Sequence, residues 1–322
     1  MIESPPQQLQ SVGDLIGRAV RLYRQNISTF FQALLWPTVL LTVFKIFFQW
    51  GVTHGSTRAD LKDWAGVAVA VGLVAVGLVG MIVASFFIQL RQLAFVRMAN
   101  GFAKGFADAY AYISARKWKI LGLLIVTSVL YIAAMIFWII EMAIASAFLK
   151  LGPIFMAFAV VGLIVGCLGF LACIVIGVLV YYLAYSIVAC EDYSIGGMIS
   201  RSFKLLFQDF WRSLYFGLLL ICAVTLISYP LALPMVLLTL FEFFRQGMSA
   251  DYLTDPSKMP FYWMVLNQIW ESLVNIVILW PIAVVAFGLY YYDLRMRQEA
   301  VDLVQRLKLM AAEASPLAEG SN

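Results

Sequence analysis

The sequence contains few of the residues on which enzyme chemistry usually depends. Among its 322 residues there is one histidine, His54, and the four cysteines show no CxxC spacing. A histidine-based metal site, a disulfide framework and a nucleophile paired with a histidine base are therefore not predicted. No Gly-rich phosphate loop followed by Lys and Ser or Thr is found. We expect neither enzymatic activity nor a cofactor.

Charged residues are also scarce, at 12% of the chain against 63% apolar residues. Soluble domains usually contain about 25% charged residues, so this chain has too little polar surface to cover its apolar part in water. Six apolar runs are long enough to cross a hydrocarbon core of about 30 Å. We predict an all-α integral membrane protein, because helices satisfy backbone hydrogen bonds in lipid. The predicted spans are 29–52, 65–90, 120–148, 155–186, 213–244 and 263–290.

The basic residues lie mainly on one side of these spans. Sixteen of the 22 Lys and Arg flank the span ends on the side that holds both termini. The opposite loops hold five, Arg58, Lys62, Lys150, Arg245 and Lys258. Because cytoplasmic loops hold an excess of Lys and Arg, we predict a multi-pass protein of the cell membrane with both termini cytoplasmic.

The net charge of +4 agrees with contact to anionic lipid at the membrane surface. The expected partner is the lipid bilayer and not nucleic acid. A membrane-protein partner or a homo-oligomer stays open.

A repeated segment precedes the spans. SVGDLIGRAVRLYRQN from Ser11 returns from Ser194 as SIGGMISRSFKLLFQD, aligned without gaps with six identical residues, and a looser copy begins at Gly101. Each copy has polar and apolar residues at helical spacing, which predicts an amphipathic helix lying in the membrane plane. Each precedes two spans, so we predict one membrane domain, 1–322, of three parallel repeats of in-plane helix and transmembrane hairpin. The approximate repeat units are 11–90, 101–188 and 194–290. The opposing interpretation is that any basic segment before a span resembles another.

The basic side chains of these in-plane helices are the predicted contacts to lipid headgroups. They are Arg18, Arg21, Arg24, Arg201 and Lys204. After the last span, residues 291–313 are predicted to continue as a cytoplasmic helical tail that docks within the molecule. Residues 314–322 are small and polar, which predicts a disordered end.

Ionisable residues inside spans are expensive and are functional candidates by default. Lys45, Glu141 and Glu271 are predicted at one depth, because each lies roughly 10–12 Å inside the outer end of its span. Amides share the faces of two of them, which extends the predicted polar cluster to Gln49, Asn267 and Asn275. Three interpretations stay open: an ion pair that fixes helix packing, a solute or ion site, and residues that never meet.

Small residues recur at helical spacing in two spans and predict close helix contacts. The stripe in span four consists of Gly162, Gly166, Gly169 and Gly177, and the one in span two of Ala65, Ala68, Gly72 and Ala75. Packing within the bundle is favoured over a dimer interface.

The closing motif LYYYDLRMRQEAVDL, together with the two Ser-initiated segments, resembles the membrane domain attached to some bacterial glycerophosphoryl diester phosphodiesterases. Its most specific residues are Tyr291, Tyr292, Asp293, Leu294, Arg295 and Arg297. The resemblance implies an integral membrane protein and not an esterase, because the paired histidines of that chemistry cannot be built from one histidine. That domain also occurs alone in bacterial proteins of unassigned role.

Two functions are compatible with these features. The leading hypothesis is a non-enzymatic multi-pass protein of membrane organisation or of lipid and envelope physiology. The alternative is a small-solute or ion transporter or channel that uses the Lys45, Glu141 and Glu271 cluster.

Overall fold

A computed structural model describes residues 10–60, 63–148, 153–245 and 260–299. Within these ranges the chain is helical with short connections and contains no strand, which confirms the predicted all-α fold. The elements are α1 (Val12–Gln25), α2 (Ile27–Asp60), α3 (Trp64–Ala99), α4 (Phe106–Ala115), α5 (Lys117–Phe148), α6 (Pro153–Cys190), α7 (Ile195–Gln208), α8 (Phe210–Arg245), α9 (Phe261–Ser272), a π-helical segment (Leu273–Leu279) and α10 (Trp280–Glu299).

Six helical stretches are long and apolar enough to cross a membrane, judged by length and composition. They are Ile27–Gly55, Trp64–Ala99, Lys117–Phe148, Phe158–Cys190, Phe210–Arg245 and Phe261–Gln298. Each coincides with one predicted span, so the multi-pass character expected from the sequence is confirmed. The helix of the second span, α3, continues to Ala99, well past the predicted end of the span at residue 90. Protein covers its polar end, since Gln92 in the helix and Asn100 just after it are both buried.

Three short helices, α1, α4 and α7, each directly precede a long one. Ser11 caps α1, where its Oγ accepts from the Asp14 N–H at 3.2 Å. Ser194 caps α7 in the same way, accepting from the Gly197 N–H at 3.3 Å. Such caps satisfy N–H groups that the first helical turn leaves without a partner. One side of each helix is buried, with Leu15 and Leu22 in α1 and Leu205 and Leu206 in α7.

The chain divides into two compact units. The first comprises Gln10–Tyr112 and Leu218–Leu289, and the second comprises Ile113–Gly217 and the described chain from Tyr290. The divisions fall inside α4, α8 and α10.

In the first unit, α2 and α3 pack closely as a helical hairpin. A Cβ at Gly77 would lie only 2.7 Å from the Phe48 backbone nitrogen, so the absence of a side chain permits this contact. The small residues buried at this face are Ala70, Gly77, Gly80 and Ala84. The predicted stripe of Ala65, Ala68, Gly72 and Ala75 is exposed instead. Small residues occur on both faces of this helix, so size alone did not identify the packed one.

In the second unit, the packed core lies at the C-terminal end of α6, beside α10. Tyr290 and Tyr291 are fully buried, and the Tyr290 ring stacks on Phe216 with centroids 4.1 Å apart. Farther along α5 and α6, most apolar side chains are exposed, as expected for helices whose solvent is lipid.

Several predictions lie outside the described residues. These include Lys62, Lys150, Lys258, the tail from 300 to 313 and the end at 314–322. The helix after the last span is described as far as Glu299.

Candidate functional site

Two of the three predicted intramembrane charges meet in the first unit. Lys45 Nζ on α2 lies 3.2 Å from Glu271 Oε1 on α9, and the two side chains keep exposures of 27% and 45%. Lys45 is ten residues from Gly55 and Glu271 is ten residues from Phe261, which places each about 15 Å inside the end of its span. An opposite charge at this distance offsets part of the cost of keeping each ion away from water.

The predicted amides do not join this pair. Gln49, Asn267 and Asn275 are half-buried, and among the described residues none of their side chains is hydrogen-bonded to Lys45 or Glu271. The structure therefore brings together an ion pair and not the six-residue cluster that the sequence predicted.

A π-helical segment begins two residues after Glu271, at Leu273. Its widened turn is marked by the Trp280 N–H, which donates to the Asn275 carbonyl five residues earlier. Pro281 comes next and has no N–H, so the Val277 carbonyl four residues before it lacks its α-helical donor. The Tyr23 hydroxyl on α1 donates to that carbonyl at 3.0 Å. With an ordinary pKa of about 10, the Tyr23 hydroxyl is protonated at neutral pH, and burial raises that pKa further.

The third intramembrane charge, Glu141, belongs to the second unit. Its carboxylate lies against Gly166 of α6, at a place that a Cβ on this glycine would occupy. The rest of the predicted glycine stripe divides into two groups. A Cβ at Gly177 would lie 3.1 Å from the Tyr131 hydroxyl, whereas Gly162 and Gly169 have no neighbouring atom within 4 Å of the position that a Cβ would take.

The basic residues predicted to contact headgroups also differ in their surroundings. Arg21, Arg24 and Lys204 are exposed, as such contacts require. Arg18 is only 5% exposed, and the prediction is corrected there because protein covers the side chain. Arg201 is half-buried and pairs with Glu191 at 3.4 Å.

A row of aromatic rings lies beside Lys204 at the junction of α7 and α8. Phe203 stacks on Phe207 and Phe207 on Phe210, with centroids 6.1 and 6.0 Å apart, and Trp211 follows Phe210 at 5.6 Å. Phe207 and Trp211 are 56% and 79% exposed. We call Phe203, Phe207, Phe210 and Trp211 the aromatic row. This exposed face was not predicted from the sequence, although the i, i+4 spacing of the two α7 phenylalanines was a signal for it.

The closing motif forms a network of ions with residues from three other elements. Glu191, just after α6, is 2.9 Å from Arg295, also pairs with Arg201 of α7, and accepts a short hydrogen bond from the Tyr291 hydroxyl. The glutamate side chain is 11% exposed. Buried charges require this kind of multiple pairing, so Glu191 holds α6, α7 and α10 together at one end of the second unit.

Asp293 forms the second half of this network. Its carboxylate is 5% exposed and lies 2.5 Å from Arg212 of α8 and 2.9 Å from Arg297 one turn later. Beside it, Ser213 and Tyr290 share a hydrogen bond of 2.8 Å. Arg295 and Arg297 thus both pair with acidic residues of the second unit.

Asp192 anchors the connection between α6 and α7. It lies 2.5 Å from Lys119 and 3.5 Å from Arg116, near the start of α5. The hydrogen bond and charge of Lys119 lower the pKa of this exposed carboxyl below its usual value. No sequence pattern predicts this pairing, because a whole helical hairpin separates the partners along the chain.

Among the described residues, no group of three or more His, Cys, Asp or Glu side chains is placed to hold a metal ion. His54 accepts a hydrogen bond from Trp50 Nε1 at 3.0 Å. Comparison of the chain with protein-family models, with curated proteins and with solved structures gave no match.

Proposed function

We propose that the chain is a non-enzymatic multi-pass protein of the cell membrane that organises anionic lipid at the cytoplasmic surface, where both termini lie. The observation that carries this proposal is the exposed aromatic row beside Lys204. Aromatic rings favour the boundary between headgroups and acyl chains, and basic side chains beside them attract anionic headgroups.

The other two junctions between a short and a long helix support the same function. At the first, the exposed Arg24 is followed by Ile27 and Phe31, which are 53% and 41% exposed. At the second, Trp118 is 73% exposed and Lys117 lies 5.9 Å from its ring centre. A unit of one short helix and one helical hairpin, repeated three times in parallel, would place basic and exposed apolar residues together at each junction. We propose that 11–90, 101–188 and 194–290 are such repeats.

We also propose that the closing motif marks kinship with the membrane domain named above. The buried ion network supports an architectural role for that motif, because Asp293 and Tyr291 are held inside the second unit.

Spin-label spectroscopy of the full chain in mixed bilayers tests the lipid proposal. The measured quantity is the preference of protein-contacting lipid for spin-labelled phosphatidylglycerol over phosphatidylcholine. Neutralising Arg21, Arg24 and Lys204 together to Gln should lower that preference by about twofold or more, because each basic residue near the surface attracts anionic lipid by about 1 kcal/mol. Arg58→Gln, on the loop predicted to lie outside, is the matched control and should leave it unchanged.

If the triple variant prefers phosphatidylglycerol over phosphatidylcholine as strongly as the wild type does, the proposed function is rejected. A second variant, Phe207→Ala with Trp211→Ala, tests the aromatic row and should reduce the number of immobilised lipids per protein. Phe158→Ala removes an equally exposed ring elsewhere, at 72% exposure, and serves as its control.

A transporter or channel is the second candidate, favoured by the ion pair that adjoins the π-helical segment. Such segments are frequent at functional sites. Proteoliposomes that hold the wild type should then show a proton or cation flux that Glu271→Gln reduces. Equal background flux for both proteins would reject this candidate.

A further inference from the structure

A groove runs between α5 and α6 in the second unit. It has a volume of about 670 Å³, within the range of small-molecule sites. Its walls are apolar and aromatic, with Phe137 and Trp138 from α5 and Phe170 from α6. Trp138 stacks on Phe170 with ring centroids 4.9 Å apart, which gives the groove a flat aromatic wall.

One carboxylate, that of Glu141, also lines this groove. It occupies the space that the missing side chain of Gly166 leaves free. Within the described chain, no side chain donates a hydrogen bond to it and no basic group lies within ion-pair distance. An ionised carboxylate is costly in an apolar surrounding unless it is paired, so a positive charge brought into the groove would be stabilised beside Glu141.

The depth of Glu141 restricts what can supply that charge. The residue is seven positions from Phe148, the end of α5, which is about 10 Å along the helix. A small inorganic cation would lose its hydration shell there at great cost. An organic cation with an apolar body loses much less, and aromatic faces attract its charge as well.

We propose that the α5–α6 groove binds a lipophilic organic cation, such as an amine or onium compound, that reaches it from the bilayer. Glu141 pairs with the positive centre, and Trp138 and Phe170 contact the apolar body. The groove is formed by residues of the second unit alone, and the site is independent of the lipid contacts proposed above.

Binding of radiolabelled tetraphenylphosphonium to the full chain tests this proposal. The protein is placed in nanodiscs of zwitterionic lipid, and the dissociation constant is measured by equilibrium dialysis against empty nanodiscs. Glu141→Gln keeps the shape of the side chain and removes its charge. It should weaken binding by roughly ten- to one-hundredfold, because a charge-assisted contact is lost.

A matched pair of glycine variants tests the location. Gly169 lines the groove and Gly162 does not, and each has open space at its Cβ position. Gly169→Leu should fill the groove and abolish saturable binding, whereas Gly162→Leu should bind as the wild type does. A Cβ at either position meets no atom within 4 Å, so both proteins should fold, and equal melting temperatures would establish this.

Three results would overturn the proposal. These are an unchanged affinity in Glu141→Gln, an unchanged affinity in Gly169→Leu, and equal competition by a neutral analogue of the same size. The last result would identify the groove as a site for acyl chains.

Discussion

The Lys45–Glu271 pair allows a quantitative test of the premise that lipid is the solvent at this position. The pair is partly exposed, at 27% and 45% of the side-chain surfaces. If that surface faced water, the pair would contribute only about 0.2–1 kcal/mol. If it faces the bilayer core, an unpaired charge at this depth costs about 3 kcal/mol.

The two environments predict different outcomes for a double-mutant cycle. In lipid, Lys45→Met leaves the glutamate alone and should lower the free energy of unfolding by about 2–3 kcal/mol. Glu271→Gln should cost somewhat less, because a lysine side chain can extend toward the headgroups. The double variant leaves no charge and should fall within about 1 kcal/mol of the wild type.

Unfolding in lipid bicelles titrated with SDS measures these free energies, because the unfolded chain returns its charges to water. The matched control is the same cycle on Lys119 and Asp192, an exposed pair outside the spans, where the coupling should be much smaller. Additive effects of Lys45→Met and Glu271→Gln would refute the reasoning and place this pair in water.

Three further predictions follow from single contacts. Tyr23→Phe removes the donor to the Val277 carbonyl and should lower the free energy of unfolding by about 1–3 kcal/mol in the same assay; no change would mean that water or another donor serves this carbonyl. Asp293→Asn removes the buried charge with which Arg212 and Arg297 pair and should cost about 1–3 kcal/mol, whereas a neutral result would contradict the network around this carboxylate. Asp192 has a lowered pKa in the folded chain, so its stabilising contribution is present above its ordinary value of 3.8 and is lost as the pH falls through the lowered one. The melting temperatures of wild type and Asp192→Asn should accordingly differ at neutral pH and converge in acid, and a constant difference would exclude the Lys119 pairing.

The long helices were predictable because one strong physical requirement determines them. A backbone in lipid must bond to itself, and the apolar runs that meet this requirement are visible in composition alone. The N-caps Ser11 and Ser194 were predictable for a local reason, because serine side-chain oxygens accept hydrogen bonds from the backbone N–H groups of the first helical turn.

The contacts between helices were only partly predictable. Lys45 had two carboxylates as possible partners, and only tertiary structure selects Glu271. Arg18 follows the same three-residue spacing as Arg21 and Arg24, which are exposed, but protein covers its side chain. Helical spacing predicts which face of a helix is polar, but not how far the neighbouring protein extends over that face. The packed face of α3 was missed because both of its faces hold small residues.

The hydroxyl of Tyr23 serves a carbonyl that lies 254 positions later in the chain, and this separation has a consequence for biogenesis. A ribosome delivers the N-terminal helix long before the last hydrophobic segment leaves the insertion machinery. Until the two meet, the Val277 carbonyl lacks the hydroxyl donor that Tyr23 supplies in the folded chain. Truncation of the first 25 residues should therefore impair late assembly, with the earlier segments already inserted.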